Sequence, residues 1–194
     1  MHRKKIIFAA FILLALVQLY VPAKMILDRE TVLRTGTEYK FRTAPVDPAD
    51  PFRGKYIALN YRDNSFVTSK AEDWKMGETI YASITTDTAG YAIIKSISKQ
   101  KPTANGDFIK AKVWNVSNVK PFKIMIDYPF DRFYMEESKA YDAERVYRET
   151  EQINEHKTYV LVNVLHGEAV LRDVLIDGKS IAEIVKANKK RRQK

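Results

Sequence analysis

The sequence predicts a mainly β fold of about eight strands, a sandwich or a partly open barrel, behind an N-terminal transmembrane helix. Three observations support this prediction. An apolar run fills residues 6–20, short runs of alternating apolar and polar residues dominate from residue 37 onward, and turn residues separate those runs. One further segment, residues 138–154, has the spacing of an amphipathic helix. A division into two lobes near Met135 is the alternative to a single β unit.

The apolar run is interrupted by one polar residue, Gln18. Its fifteen residues are too few to cross the hydrocarbon core of a bilayer, which takes roughly 20. Continuation to Leu27 gives the required length, because Lys24 can extend its ammonium group to the lipid headgroups. We therefore predict a stub at residues 1–5 and a single-pass anchor at residues 6–27.

The basic residues beside the apolar run predict its orientation. Arg3, Lys4 and Lys5 precede the run directly, and such a cluster stays on the cytoplasmic side. We expect an N-in protein of the cytoplasmic membrane, with a main domain at residues 28–185 on the periplasmic, extracytoplasmic side. The alternative is a signal peptide cleaved after the small residues near Ala23, which would export the same domain.

The net charge of +9 over 194 residues suggests nucleic acid until the charges are located. Residues 3–5 and the basic tail at residues 186–194 contain nine cations and no acid, so the rest of the chain is electrically balanced. A nucleic-acid-binding domain carries its basic stripe on the fold itself. We therefore expect no nucleic-acid partner, and we interpret the tail as a solvated end that could contact anionic lipid or a partner.

The predicted strands are bounded by turn residues, such as Asp177 and Gly178 after the last of them. Residues 158–165 are apolar on both faces, so that strand is expected at the centre of a sheet. Eight strands are predicted: Tyr39–Thr43, Tyr56–Tyr61, Thr79–Thr86, Tyr91–Ser98, Asp107–Val116, Phe122–Asp127, Thr158–Leu165 and Glu168–Ile176.

The sequence contains no motif that indicates a particular catalytic chemistry. The chain has no cysteine, and its three histidines lack a second ligand at metal-binding spacing, so we predict no metal and no cofactor. Asp47 and Asp50 flank a proline in a stiff loop, with Arg53 three residues later. They are either turn carboxylates paired with arginine or members of an acid–base cleft. Glu136, which precedes the predicted helix, is a further candidate carboxylate.

The segment DPADPFRGKYIALNY at residues 47–61 resembles the GDYXXLXY protein family, whose members are bacterial membrane-anchored proteins. Gly54, Tyr56, Leu59 and Tyr61 occupy the positions of that motif, and Lys55 stands where the family has aspartate. Residues 128–137, which include Tyr134 and Glu136, are similar to a Tyr- and Phe-rich segment of the family. Residues 161–179 are similar to its C-terminal hairpin.

The resemblance implies a shared fold, an anchor and a partner that is a polytopic membrane protein, but no particular activity. We expect a non-enzymatic interaction or assembly module for a membrane or envelope partner. Its candidate site is the motif together with Asp47, Asp50, Arg53, Tyr134 and Glu136. The alternative is an envelope hydrolase or a small-ligand binder with a cleft around residues 47–61. Contact between the motif and the segment before the helix would favour a functional site.

Overall fold

The computed structural model describes residues 2–44, 56–103, 106–136, 139, 142–147, 150 and 157–192. Helix α1 is His2–Thr35, residues 142–147 form part of α2, and α3 is Ile181–Arg192. The twelve strands within the described residues are β1 (Thr37–Ala44), β2 (Tyr56–Ala58), β3 (Asn60–Tyr61), β4 (Ser65–Val67), β5 (Thr79–Thr86), β6 (Ala92–Ser98), β7 (Phe108–Val116), β8 (Lys123–Asp127), β9 (Arg132–Tyr134), β10 (Thr158–Leu165), β11 (Glu168–Ile176) and β12 (Lys179–Ser180).

The strands form two five-stranded sheets and one two-stranded ribbon. The first sheet has the order β12-β11-β10-β1-β3, the second has the order β4-β8-β7-β5-β6, and β2 pairs with β9. The N–H of Lys110 in β7 donates to the carbonyl of Gly167, between β10 and β11, at 2.9 Å, which joins the two sheets at one corner. The prediction of a mainly β, partly open structure is confirmed.

The two sheets enclose one hydrophobic core. Its fully buried members include Phe41 from β1, Ile109 from β7 and Val162 from β10. The core therefore contains strands from both sides of Met135, and β1 pairs directly with β10 along six residue pairs. The alternative of two lobes divided near that residue is wrong, because one shared core needs strands from both halves of the chain.

The longer strands agree with the sequence prediction. The predicted bounds of β5, β10 and β11 are those observed, and β10 lies between β11 and β1 as expected of a strand that is apolar on both faces. The prediction of a single strand at Tyr56–Tyr61 is wrong, because that segment divides at Leu59. Its first half pairs with β9 and its second half pairs with β1, so the two halves belong to different sheets.

Helix α1 is longer than the predicted anchor. It continues through Pro22 to Thr35 and measures about 51 Å at 1.5 Å per residue. It is long and apolar enough to span a membrane, and none of its most apolar stretch is buried inside the protein. The first eight residues of the predicted domain, 28–35, therefore belong to this helix, and Val32 is buried against the β body.

The other helices also pack on the body. In α2 the side chains of Ala143 and Tyr147 are buried one turn apart, which agrees with the predicted amphipathic helix where it is described. Helix α3 buries Ile181 and Val185, so the predicted boundary at residue 185 lies inside a helix and the basic tail begins as a helical extension.

The junction between α1 and the body is held by a buried side chain. The Nδ2 atom of Asn163 in β10 donates to the carbonyl oxygens of Leu33 and Gly36, at 3.3 Å each. The last carbonyls of a helix have no partner within the helix, so this amide caps the end of α1. Helix α1 is therefore attached to the centre of the first sheet by side-chain hydrogen bonds as well as by the chain connection.

Replacing Asn163 with alanine is expected to lower the free energy of unfolding by about 1 kcal/mol, because two long hydrogen bonds are lost. Chemical denaturation of the detergent-solubilised full chain measures this change. Hydrogen exchange should also show faster exchange of the amides near Gly36. An Asn163→Ala variant with unchanged exchange there would show that the amide does not hold the junction.

Candidate functional site

The motif residues divide between the two faces of their segment. Ile57, Leu59 and Tyr61 are buried in the core, whereas Tyr56 is half-buried on the opposite face. The faces follow the strand alternation predicted from the sequence, although the strand itself is divided. Gly54, together with Asp47, Asp50 and Arg53, lies outside the described residues.

The buried side of the motif belongs to a cluster of four aromatic rings. The centroid of the Tyr61 ring lies 6.0 Å from Phe41, 5.6 Å from Tyr128 and 5.3 Å from Phe130, each in an edge-to-face arrangement. Its hydroxyl donates to the carbonyl of Phe130 at 2.7 Å, and burial raises the pKa of Tyr61 well above its ordinary value. Tyr61 therefore acts as a structural residue.

The backbone of the motif is attached to the same segment. The N–H of Leu59 donates to the carbonyl of Asp131 at 2.8 Å, and the Tyr128 hydroxyl donates to the carbonyl of Asp63 at 2.9 Å. The two segments that resemble the GDYXXLXY family, residues 47–61 and 128–137, are thus in direct contact where they are described.

The outer side of the β2–β9 ribbon carries the exposed part of this contact. Tyr56 lies opposite Tyr134, with ring centroids 5.4 Å apart, and the guanidinium of Arg132 lies 5.1 Å from the Tyr56 ring centroid. A hydrogen bond with Tyr134 and the nearby charge of Asp131 raise the pKa of Arg132. We call these three side chains, Tyr56, Arg132 and Tyr134, the ribbon face. Tyr134 is 64% exposed, which is unusual for a large aromatic residue.

Glu136 lies two residues beyond β9 and forms an ion pair with Lys139. Its side chain is largely exposed. Of the predicted site residues, the structure therefore brings together Tyr56 and Tyr134 on the surface, and it places Leu59 and Tyr61 in the core.

A cleft of about 490 Å³ adjoins the ribbon face, between β9 and β11. We call it the arginine cleft, because Arg29 of α1, Arg132 of β9 and Arg172 of β11 line it, with Asp131 as the one acid in its described lining. Phe133 and Leu171 form an apolar part of the wall of this cleft. No pattern in the sequence indicates this cleft, since its three arginines are far apart in the chain and only the packing of α1, β9 and β11 brings them together.

A second cleft of about 450 Å³ shares Arg29 and Asp131 with the arginine cleft. We call it the mixed cleft, because its lining carries three cations and three carboxylates. Burial raises the pKa of Asp127 there, Asp131 raises it further, and Lys112 opposes the rise. The charged residues of the lining are Arg29, Lys110, Lys112, Asp127, Asp131 and Glu168.

Arg42 is the centre of a network of ion pairs that holds the turn after the motif. Arg42 of β1 forms ion pairs with Asp63, at 2.9 Å, and with Asp87, and its guanidinium lies 4.3 Å from the Tyr91 ring centroid. The backbone N–H of Tyr91 lowers the pKa of Asp87, and Arg42 lowers it further. This network fixes the β5–β6 turn against the residues that follow Tyr61.

These features define a mainly β body with a central aromatic cluster, carried on a long apolar N-terminal helix. A family model described as GDYXXLXY protein matches residues 18–174, from the middle of that helix into the last long strand. The chain belongs to this family. No curated protein and no solved structure matches the chain. In the described part of the chain, no group of three or more His, Cys, Asp or Glu residues is arranged to hold a metal ion.

Proposed function

We propose that the protein is a membrane-anchored extracytoplasmic interaction module that binds a membrane or envelope protein through the ribbon face. The observation that carries this proposal is the position of Tyr134. It is a large, exposed aromatic residue that lies against a motif tyrosine, in the second segment that resembles the family. Tyrosine and arginine are enriched among the residues that dominate binding energy at protein interfaces.

The proposed location follows from α1. Residues 6–27 cross the cytoplasmic membrane, Arg3, Lys4 and Lys5 remain inside, and the β body lies on the outer side. Continuity of α1 through Pro22 to Thr35 supports retention of the anchor over cleavage after Ala23, because residues on both sides of that bond belong to one helix. The junction at Gly36 and Asn163 then fixes the ribbon face relative to the membrane.

A polytopic membrane protein is the partner that suits this placement. Arg29 lies only two residues past the proposed span, and it lines the cleft that adjoins the ribbon face. The extracytoplasmic loops of a polytopic protein lie at the same height above the bilayer. The rigid pairing of Tyr56 with Tyr134 reduces the entropy that these side chains lose on binding.

Replacing Tyr134 with alanine is expected to abolish copurification of the partner without changing the stability of the protein. The exposed ring loses little burial when it is truncated, whereas an interface anchor of this type contributes about 2 kcal/mol or more. The full chain would be isolated from its native membrane in mild detergent, and the bound proteins would be identified by mass spectrometry.

The matched control is Trp114→Ala, which removes another large aromatic residue, 58% exposed and outside both clefts. We expect the Trp114 variant to keep the partner. Loss of the partner from the Trp114 variant alone would move the interface away from the ribbon face. Recovery of the wild-type protein with no partner would contradict the proposal.

The hydrolase and small-ligand alternatives depend on residues that lie outside the described part of the chain, namely Asp47, Asp50 and Arg53. They stay predictions from the sequence. Tyr56, which belongs to the same segment at residues 47–61 and is described, contacts Tyr134 and Arg132, which is an arrangement suited to recognition.

A further inference from the structure

We propose that the arginine cleft binds the phosphate headgroup of an anionic phospholipid in the outer leaflet of the membrane that holds α1. This inference rests on the proposed membrane placement of α1, and it does not depend on a protein partner. Three features of the cleft support the inference: its level relative to the lipid headgroups, its charge, and its apolar wall.

The height follows from helix geometry. Arg29 lies two residues beyond Leu27, the last residue of the proposed span, which is about 3 Å along a helix axis. The headgroup layer on each side of the hydrocarbon core is roughly 5–7 Å thick. Arg29 therefore lies at the level of the lipid phosphates, and so does the part of the cleft that it lines.

The charge of the arginine cleft is suited to a phosphate. Its described lining contains three guanidinium groups and a single carboxylate, Asp131. Arg172 also pairs with Glu38 at 2.7 Å, and Arg132 lies 3.5 Å from Asp131. Arg29 forms no ion pair with any other described residue, so its donors can be directed to a ligand. Guanidinium groups bind phosphate through two parallel hydrogen bonds, with a geometry that an ammonium group does not supply.

The mixed cleft differs from the arginine cleft in the balance of its charges. It has a similar volume and also contains Arg29, but three carboxylates balance its three cations. An anion would meet no net attraction there. Of these two clefts, only the arginine cleft has an excess of positive charge in its described lining, although the body without its basic ends has no net charge.

The apolar wall of the cleft favours a lipid over a free anion as its ligand. Phe133 and Leu171 line the arginine cleft beside the arginines, and Phe133 is half-buried. An inorganic phosphate gains nothing from these side chains, whereas the glycerol backbone and upper acyl chains of a phospholipid can cover them. We therefore assign the cleft to a lipid phosphate.

The test uses the purified full chain in a neutral detergent, with native mass spectrometry as the measurement of bound lipid. Phosphatidylglycerol and phosphatidylcholine would be titrated separately. We expect the wild type to bind phosphatidylglycerol about tenfold more tightly, a difference of roughly 1.4 kcal/mol. Both lipids offer a phosphate, but phosphatidylcholine also carries an ammonium group, which the guanidinium groups of the cleft repel. Equal affinity for the two lipids would overturn the assignment.

The variants locate the site. Arg29→Gln combined with Arg172→Gln is expected to remove the preference for phosphatidylglycerol. The matched control Arg62→Gln removes an exposed arginine that lines neither cleft, and it should keep the preference. Loss of the preference in the control alone, or its retention in the double variant, would contradict the proposal. Thermal unfolding of each variant identifies misfolding, and Arg29→Lys provides a second, milder variant that should weaken binding while keeping the charge.

A competition experiment distinguishes a lipid phosphate from free inorganic phosphate as the ligand. Inorganic phosphate at millimolar concentration should leave phosphatidylglycerol binding unchanged at constant ionic strength. Displacement of the lipid would instead assign the cleft to a free anion. Because no partner protein is present, failure of this test leaves the proposed interaction through Tyr134 intact, and failure to recover a partner leaves the lipid result intact.

Discussion

Replacing Tyr61 with alanine is expected to lower the free energy of unfolding by about 3–5 kcal/mol, which is typical of a large aromatic residue removed from a core. Tyr61 is almost fully buried, and its ring contacts three other aromatic rings at centroid distances of 5.3–6.0 Å. Its removal leaves a cavity between the two sheets and deprives the Phe130 carbonyl of its donor. Chemical denaturation of the full chain in detergent, followed by tryptophan fluorescence and circular dichroism, measures the loss.

The conservative variant Tyr61→Phe separates the ring from the hydroxyl. It keeps the aromatic contacts and removes one buried hydrogen bond, so we expect a cost of about 1–3 kcal/mol. Together the two variants show how much of the free energy of unfolding comes from the ring and how much from the hydroxyl. A Tyr61→Ala protein as stable as the wild type would mean that this motif tyrosine has a role other than packing.

The contrast between Tyr61 and Tyr56 explains how one short motif can have two roles. Alternation along an extended chain sends Leu59 and Tyr61 into the core and Tyr56 to the outer face. The buried residues attach the segment to β9 and to the turn before it, and that attachment orients Tyr56 beside Tyr134. Packing of the buried half thus determines the geometry of the exposed half.

The sequence was sufficient to predict the long strands because their patterns are strong. Thr158–Leu165 and Glu168–Ile176 are long runs rich in apolar residues with a turn between them, and their bounds are those predicted. Strand β9 was missed because Arg132–Tyr134 is too short to show a period. Without β9, the division of Tyr56–Tyr61 at Leu59 could not be predicted either, since it depends on which partner each half pairs with.

The arginine cleft could not be predicted from the sequence for a different reason. In the sequence, Arg29 is only a charge shortly after the apolar run, and no local pattern connects it with Arg132 or Arg172. Strands β9 and β11 place Arg132 and Arg172, and Arg29 joins them because α1 continues to Thr35 and packs Val32 on the body. The packing of the helix end therefore determines which charges of the body lie near Arg29, and this is a property of tertiary structure.

Replacing Gly36 with alanine tests that coupling, and we expect it to displace α1 from the body and to lower the free energy of unfolding by about 1–3 kcal/mol. A Cβ atom at Gly36 would lie 2.5 Å from the carbonyl oxygen of Val32 and 2.9 Å from that of Val164. Both are backbone atoms, so neither can move aside as a flexible side chain would. The strain is relieved only if the helix end moves away from β10, which also breaks the contacts made by Asn163.

The displacement can be measured directly because the chain has no cysteine. Spin labels at introduced cysteines, Thr31→Cys on α1 and Lys95→Cys on β6, report the distance between the helix and the body. The wild type should give one narrow distance distribution, and the Gly36→Ala protein a shifted or broadened one. The matched control Thr37→Ala changes the next, exposed residue without adding a Cβ atom, and should leave the distribution unchanged. If the Gly36→Ala protein kept the wild-type distribution, α1 would not be rigidly coupled to the body, and the placement of Arg29 in the two clefts would lose its structural basis.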